Sequence, residues 1–180
     1  MKWAAMGFLL VVMPVAVQAQ CAPVPHADDD YAALSRFWGT SFPLCRLPTG
    51  TNNAFADRDR GGVFADQEWL DRIATQYGSW AASGILAHEW GHMIQGRVQG
   101  TAAELQADCL AGVFLRGAGL PWQTVEQFAA VNWSEGGDPY WTPNGHGTGV
   151  QRVTAARRGY YGYAGQPASQ LAILCPLSAF

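Results

Sequence analysis

The sequence predicts an α+β domain, mainly helical, with a small β-hairpin beside its second long helix. Three observations carry this. Between residues 66 and 160, five segments place apolar residues at helical spacing, and Gly or Pro punctuates them. Ahead of them, Asn52–Asp57 and Val63–Ala65 flank a polar turn at 58–62, the pattern of two short strands in a hairpin. The chain has 180 residues, 49% hydrophobic and 14% charged, enough for one domain with a sizeable core.

The N-terminus does not belong to that domain. Met1-Lys2 is followed by a mostly apolar run from Trp3 to Val17 and by Val17-Gln18-Ala19. A short positive region, an apolar stretch and small residues at a cleavage site make residues 1–19 a signal peptide, cleaved after Ala19. The alternative, an anchor helix, needs about 20 apolar residues, and this run is shorter. Lipid attachment at Cys21 is disfavoured by Gln20 before it. The expected location is therefore exported, periplasmic or secreted, with no transmembrane helix in the mature chain. Cys21, Cys45, Cys109 and Cys175 all lie beyond the cleavage point. An even count in an exported chain suggests two disulfides, and three pairings are possible. Cys21–Cys45, which staples the N-terminal segment, and Cys109–Cys175, which ties the C-terminus to a central helix, are preferred.

Residues 20–50 are Pro-rich and read as irregular, with one helix over Asp30–Trp38. The domain proper spans 51–180. After the hairpin, a helix over Asp66–Tyr77 puts Trp69, Leu70, Ile73 and Tyr77 on one face, and Gly78 ends it. Further helices are expected over Trp80–Val98, Ala102–Arg116 and from Pro121 to Asn132. Residues 134–149 form a long Gly- and Pro-rich loop, and loops of that length in a domain usually carry function. A last helix over Val150–Tyr160 leads to an apolar tail. With 11 basic and 14 acidic residues and no basic patch, a nucleic-acid partner is excluded. The composition is too apolar for disorder.

The chemistry centres on His88-Glu89-Trp90-Gly91-His92. On a helix, positions i and i+4 share a face, so both imidazoles reach one metal while Glu89 stands beside it as a base. In a chain of this composition chance yields the pattern about 0.002 times. Two imidazoles and a carboxylate with an open fourth position suit one Zn²⁺. The next helix supplies Glu104 and Asp108, two acids on one face of an otherwise apolar segment. Glu104 is the third ligand. Asp108 orients a ligand histidine, most simply His88, because metal-bound histidines commonly donate their second N–H to a carboxylate. The alternatives are a capping box over Thr101–Glu104 and an ion pair of Asp108 with Arg152. His146, between two glycines at the end of the long loop, is a candidate oxyanion donor, an alternative third ligand, or a loop-stabilising residue. His26 reads as a surface residue.

Three blocks, His88 to Gln95, Glu104 to Val113 and His146 to Arg152, resemble the bacterial neutral zinc metallopeptidases, zincins with a glutamate third ligand. The likeness covers about Asn52 to Tyr161. Asn53-Ala54-Phe55-Ala56 also resembles the hairpin ahead of the zinc helix in integral-membrane zinc endopeptidases, whose transmembrane helices this chain lacks. The resemblance implies a compact zincin-like domain, gluzincin-like in its ligands, that hydrolyses peptide or protein substrates. Zinc would activate a water, Glu89 would be its general base, and His146 or one of Tyr140, Tyr160 and Tyr161 would steady the oxyanion. Two other functions share these residues: a non-catalytic zinc-containing domain that binds an envelope or secreted protein, and a zinc amidase acting on non-peptide or cell-wall amides.

Overall fold

Seven helices and a three-stranded sheet make up residues 21–135, 145–167 and 170–180, the parts that the computed structural model describes. The expected signal peptide, residues 1–19, and the centre of the long loop, with Tyr140, lie outside the described residues. The fold is α+β and mainly helical, as the periodicity predicts.

The central element is α3 (Ser79–Gln95), on which α2 (Gln67–Tyr77), α4 (Thr101–Gly117), α5 (Trp122–Glu135) and β2 (Ala54–Asp57) all pack. Its sequence explains its place. Ala81, Ile85, Leu86, Ala87 and Trp90 are apolar almost all round the helix, and such a helix is stable only when buried. Gly78, at φ 104°, makes the sharp break that separates α2 from α3. The N-cap of α2 is Asp66, fully buried. Its carboxylate accepts from the Trp69 amide at 3.3 Å and from the amides of Gly50 and Asn52 at 2.9 Å each. One side chain thereby caps a helix and fixes the loop that enters β2.

The hairpin forms where the sequence puts it, from β2 and β3 (Gly62–Ala65), with Phe55 opposite Phe64. The structure adds β1 (Leu44–Arg46), which pairs in parallel with β3, Leu44 opposite Val63. The order β1-β3-β2 leaves β2 at an edge. Residues 20–50 are thus less irregular than expected, since they hold both α1 (Asp28–Trp38) and β1. A three-residue strand between Pro43 and Pro48 is too short to show a period of two.

α4 and α6 (Gly149–Gly162) cross closely. A Cβ at Gly112 would collide with the Ala156 carbonyl oxygen, and one at Gly159 with that of Cys109. The capping box weighed as the alternative role for Glu104 does not form. Gly100 is the N-cap, and the Thr101 hydroxyl donates to the Gly145 carbonyl at 2.9 Å. A capping box does start α6, between Thr148 and Gln151. Both preferred disulfides are present, Cys21–Cys45 and Cys109–Cys175, with Cα separations of 4.9 and 5.9 Å. The second ties the end of the short α7 (Leu171–Leu174) to α4. Among the described residues no helix is long and apolar enough to cross a membrane.

Candidate metal centre

One turn of α3 carries His88 and His92 on the same face, and the first turn of α4 brings Glu104 against them. The two Nε2 atoms lie 3.1 Å apart. Glu104 Oε2 is 3.4 Å from His88 Nε2, and Oε1 is 3.4 Å from His92 Nε2. Tetrahedral zinc, with ligand bonds of about 2.0–2.1 Å, spaces its ligands about 3.3–3.4 Å apart. The three side chains therefore form a group able to hold a metal ion. Glu104 Oε2 adds a second sign. It is buried and accepts no hydrogen bond of good geometry, although His146 Nδ1 stands 3.1 Å away.

Each imidazole is held by its far nitrogen. His88 Nδ1 is 2.8 Å from Asp108 Oδ1. His92 Nδ1 is 3.0 Å from Gln95 Oε1, and the Gln95 amide donates in turn to the Ala103 carbonyl at 2.5 Å. With Nδ1 as donor on both rings, both Nε2 lone pairs are presented to one point. Asp108 is fully buried. It takes two bonds from the Arg152 guanidinium, each 2.9 Å, and one from Asn132 at 3.1 Å. Burying a carboxylate is costly unless its oxygens are satisfied, and here four donors satisfy them. The contact with His88 and the ion pair with Arg152, posed as alternatives, occur on one side chain.

The charges match this geometry. Burial works against a charge on His88, but the Asp108 carboxylate outweighs it and raises the metal-free imidazole to about 10. Burial would raise the Glu104 carboxyl too, yet its contacts with His146, His88 and His92 hold it far below the ordinary range. Both shifts describe a site whose anionic groups favour a cation.

Glu89 lines the same cavity as His88, His92 and Glu104, a cleft of about 450 Å³ that also includes Asn53, Ala54, Ala56, Arg58 and His146. Its Oε2 accepts from the Ala56 amide at 2.9 Å. That amide and the amide of Ala54, which bonds Asn53 Oδ1 at 2.9 Å, belong to the unpaired edge of β2. A second cavity, about 280 Å³, opens beside it between Trp69, Ile85, Phe128 and Val131. His146 lies at the mouth of both, its side chain 57% exposed. Of the candidate tyrosines, Tyr160 and Tyr161 do not reach the site. Tyr160 is buried with its hydroxyl donating to the Leu120 carbonyl, and Tyr161 packs on Trp122. His26 is at the surface, paired with Asp71.

Sequence reading missed three contributors. Gln95 stands three residues after His92 on the same helical face, a spacing that could have revealed it. Arg58 donates from Nε to the His92 carbonyl at 2.8 Å and lines the cleft. Asn132 comes from α5, and no local pattern signals its meeting with Asp108. No family model, curated protein or solved structure matches this chain. The functional reading therefore rests on the site.

Proposed function

We propose that this chain is an exported zinc metallopeptidase of the kind its three motif blocks resemble. The observation that supports it best is the position of Glu89. Holding a metal needs only His88, His92 and Glu104, yet a further carboxylate lines their cavity and touches the free edge of a strand. Zinc held by those three residues would supply a Lewis acid that polarises a carbonyl and acidifies water. Glu89 takes the proton from the attacking water and passes it to the leaving amine nitrogen. An extended peptide lies along the edge of β2, where the Ala54 and Ala56 amides exchange their bonds to Asn53 Oδ1 and Glu89 Oε2 for bonds to its backbone, which frees the Glu89 carboxylate. His146 donates to the oxygen on which negative charge develops. Asp108 and Gln95 hold the two imidazoles in the tautomer that leaves Nε2 free. Two disulfides fit folding in an oxidising compartment, and export follows from the signal peptide.

The test is zinc content and hydrolysis of a mixed peptide library by wild type, Glu89→Gln and Glu104→Ala. One zinc per chain is expected in the wild type and in Glu89→Gln, with hydrolysis lowered about 100-fold or more in the latter. Glu104→Ala should lose zinc. Zinc-loaded wild type that cleaves no peptide would overturn the reading, and so would Glu89→Gln that cleaves like wild type.

A further inference from the structure

A second cavity system lies on the far side of α3, about 150° around the helix from His88 and His92 at 3.6 residues per turn. It has a volume of about 220 Å³, room for several waters at about 30 Å³ each. Its apolar wall is formed by Leu70, Leu86 and Trp80, and its polar lining includes two carboxylates beside the His26 imidazole and the Ser79 and Ser83 hydroxyls. Asp30 and Asp71 bring the carboxylates; neither Lys nor Arg lines the cavity, and Asp71 is already paired at the surface with His26, 3.1 Å away. Gln67 lines it as well, only 5% exposed, with its buried carboxamide oxygen bonded to nothing. A buried acceptor without a partner costs about 1–3 kcal/mol. A folded chain tolerates that where a ligand supplies the donor.

We propose that this cavity binds an organic ammonium group carried on a short alkyl stem. The ligand is cationic because Asp30 and the unpartnered Gln67 oxygen are acceptors with no Lys or Arg in the lining, and Asp71, though paired with His26, adds negative charge at the rim. A bare metal ion fits less well. Among the described residues only His88, His92 and Glu104 bring three ligand atoms close enough to share one, and none of these lines this cavity. The stem is apolar because Leu70, Leu86 and the Trp80 ring face it. Asp30 shows what the cavity lacks. Burial raises its carboxyl above the usual range, with only the Ser83 hydroxyl working the other way and Asp29 adding to the rise. No cation enters that balance. An ammonium group that reaches both gives the Gln67 oxygen its missing donor and adds a cation to the Asp30 carboxylate beside the Ser83 hydroxyl, and charge-assisted bonds of this kind are the strong ones.

The probe is n-butylammonium, titrated into the mature protein and followed by amide NMR shifts, with 1-butanol as its uncharged counterpart. Butylammonium should bind with a dissociation constant on the order of 1 mM. Shifts should centre on Ala27, Ala74 and Ser83 and leave Ala56 and Glu89 unmoved. Butanol and Asp30→Asn should each weaken binding by about tenfold or more. Asp71→Asn sits at the exposed rim, where folding is not at stake, and should weaken it as well. A lysine residue with both ends blocked, as the acetyl methylamide, separates two sources of the group. If it binds as well as butylammonium, a lysine side chain of a protein partner is the natural occupant. If it binds about tenfold worse, a free small amine is. The inference fails if butanol binds as well as butylammonium, if both Asp variants bind like wild type, or if shifts appear only at the metal centre or nowhere.

Discussion

Asp108 Oδ1 lies 2.8 Å from His88 Nδ1, and the same carboxylate takes both bonds of the Arg152 guanidinium. The pair therefore joins His88 on α3 to α4 and, through Arg152, to α6. Carboxylates that orient metal-bound histidines typically contribute 10- to 100-fold in metal affinity. Asp108→Asn should weaken zinc binding by about that factor, read by competition with a chelator. It also leaves Arg152 buried beside a neutral group, which threatens folding. Gln95→Ala avoids this risk, because Gln95 plays the same part for His92 nearer the surface. Its zinc affinity should fall in the same direction. Unchanged affinity in both variants would reduce these contacts to packing.

A second prediction concerns how α4 and α6 meet. The backbones touch at Gly112 and Gly159, and a methyl group at either position has nowhere to go. The obstacle is a main-chain carbonyl in each case, which cannot turn aside as a side chain would. Gly112→Ala should destabilise the fold by roughly 1–3 kcal/mol despite the gain in helix propensity, read as a lower Tm. If the helices must part, Arg152 recedes from Asp108, and zinc affinity should fall with stability. A variant of unchanged Tm would show that the crossing relaxes freely.

These two pairs also mark what could be read from the sequence. The helices were legible because apolar spacing and glycine breaks are local. His88, Glu89 and His92 were legible because one turn of helix fixes their relation. Glu104 and Asp108 stood out as acids on an apolar helix. Asp108 carried two competing readings because one buried carboxylate with four lone-pair positions can serve both partners, and sequence shows no such sharing. β1 was hidden by its length. Asn132 was hidden because its contact with Asp108 depends on how α5 packs, and Tyr160 was misjudged because nothing local showed that its hydroxyl meets Leu120 instead of the cleft.

Asp66 yields a prediction about pH. Burial would raise its carboxyl, but the amides of Asn52, Trp69 and Gly50 outweigh this and hold it below the usual value. A carboxyl lowered by folding stabilises the fold above its unfolded pKa, near 3.9, and that contribution is lost as pH falls through the folded value. Asp66→Ala should therefore cost about 1–3 kcal/mol near neutral pH, through a lost helix cap and two unpaired amides. The gap to wild type should narrow below about pH 4. Urea unfolding at pH 7 and pH 3 measures both. The loop at 50–53 leads directly into β2, so peptide turnover should drop with the cap. A gap that is constant with pH would mean that the carboxylate charge is irrelevant.

His146 separates two roles by measurement. Its Nδ1 is 3.1 Å from Glu104 Oε2, while more than half of the side chain is open to solvent at the mouth of both cavities. A residue whose main task is to brace Glu104 would cost zinc affinity when removed. A residue that donates to a developing oxyanion acts only in the transition state, so its loss should lower kcat and leave KM and zinc nearly unchanged. The exposed ring favours the second role, because a bracing contact would be shielded from water as the Asp108 contact is. His146→Ala should keep one zinc per chain and lower kcat about 100- to 1000-fold. His146→Gln, which retains a donor, should recover part of that loss. Zinc loss in His146→Ala would instead make His146 a support for the ligand set, and the oxyanion donor would then have to be sought elsewhere along the cleft.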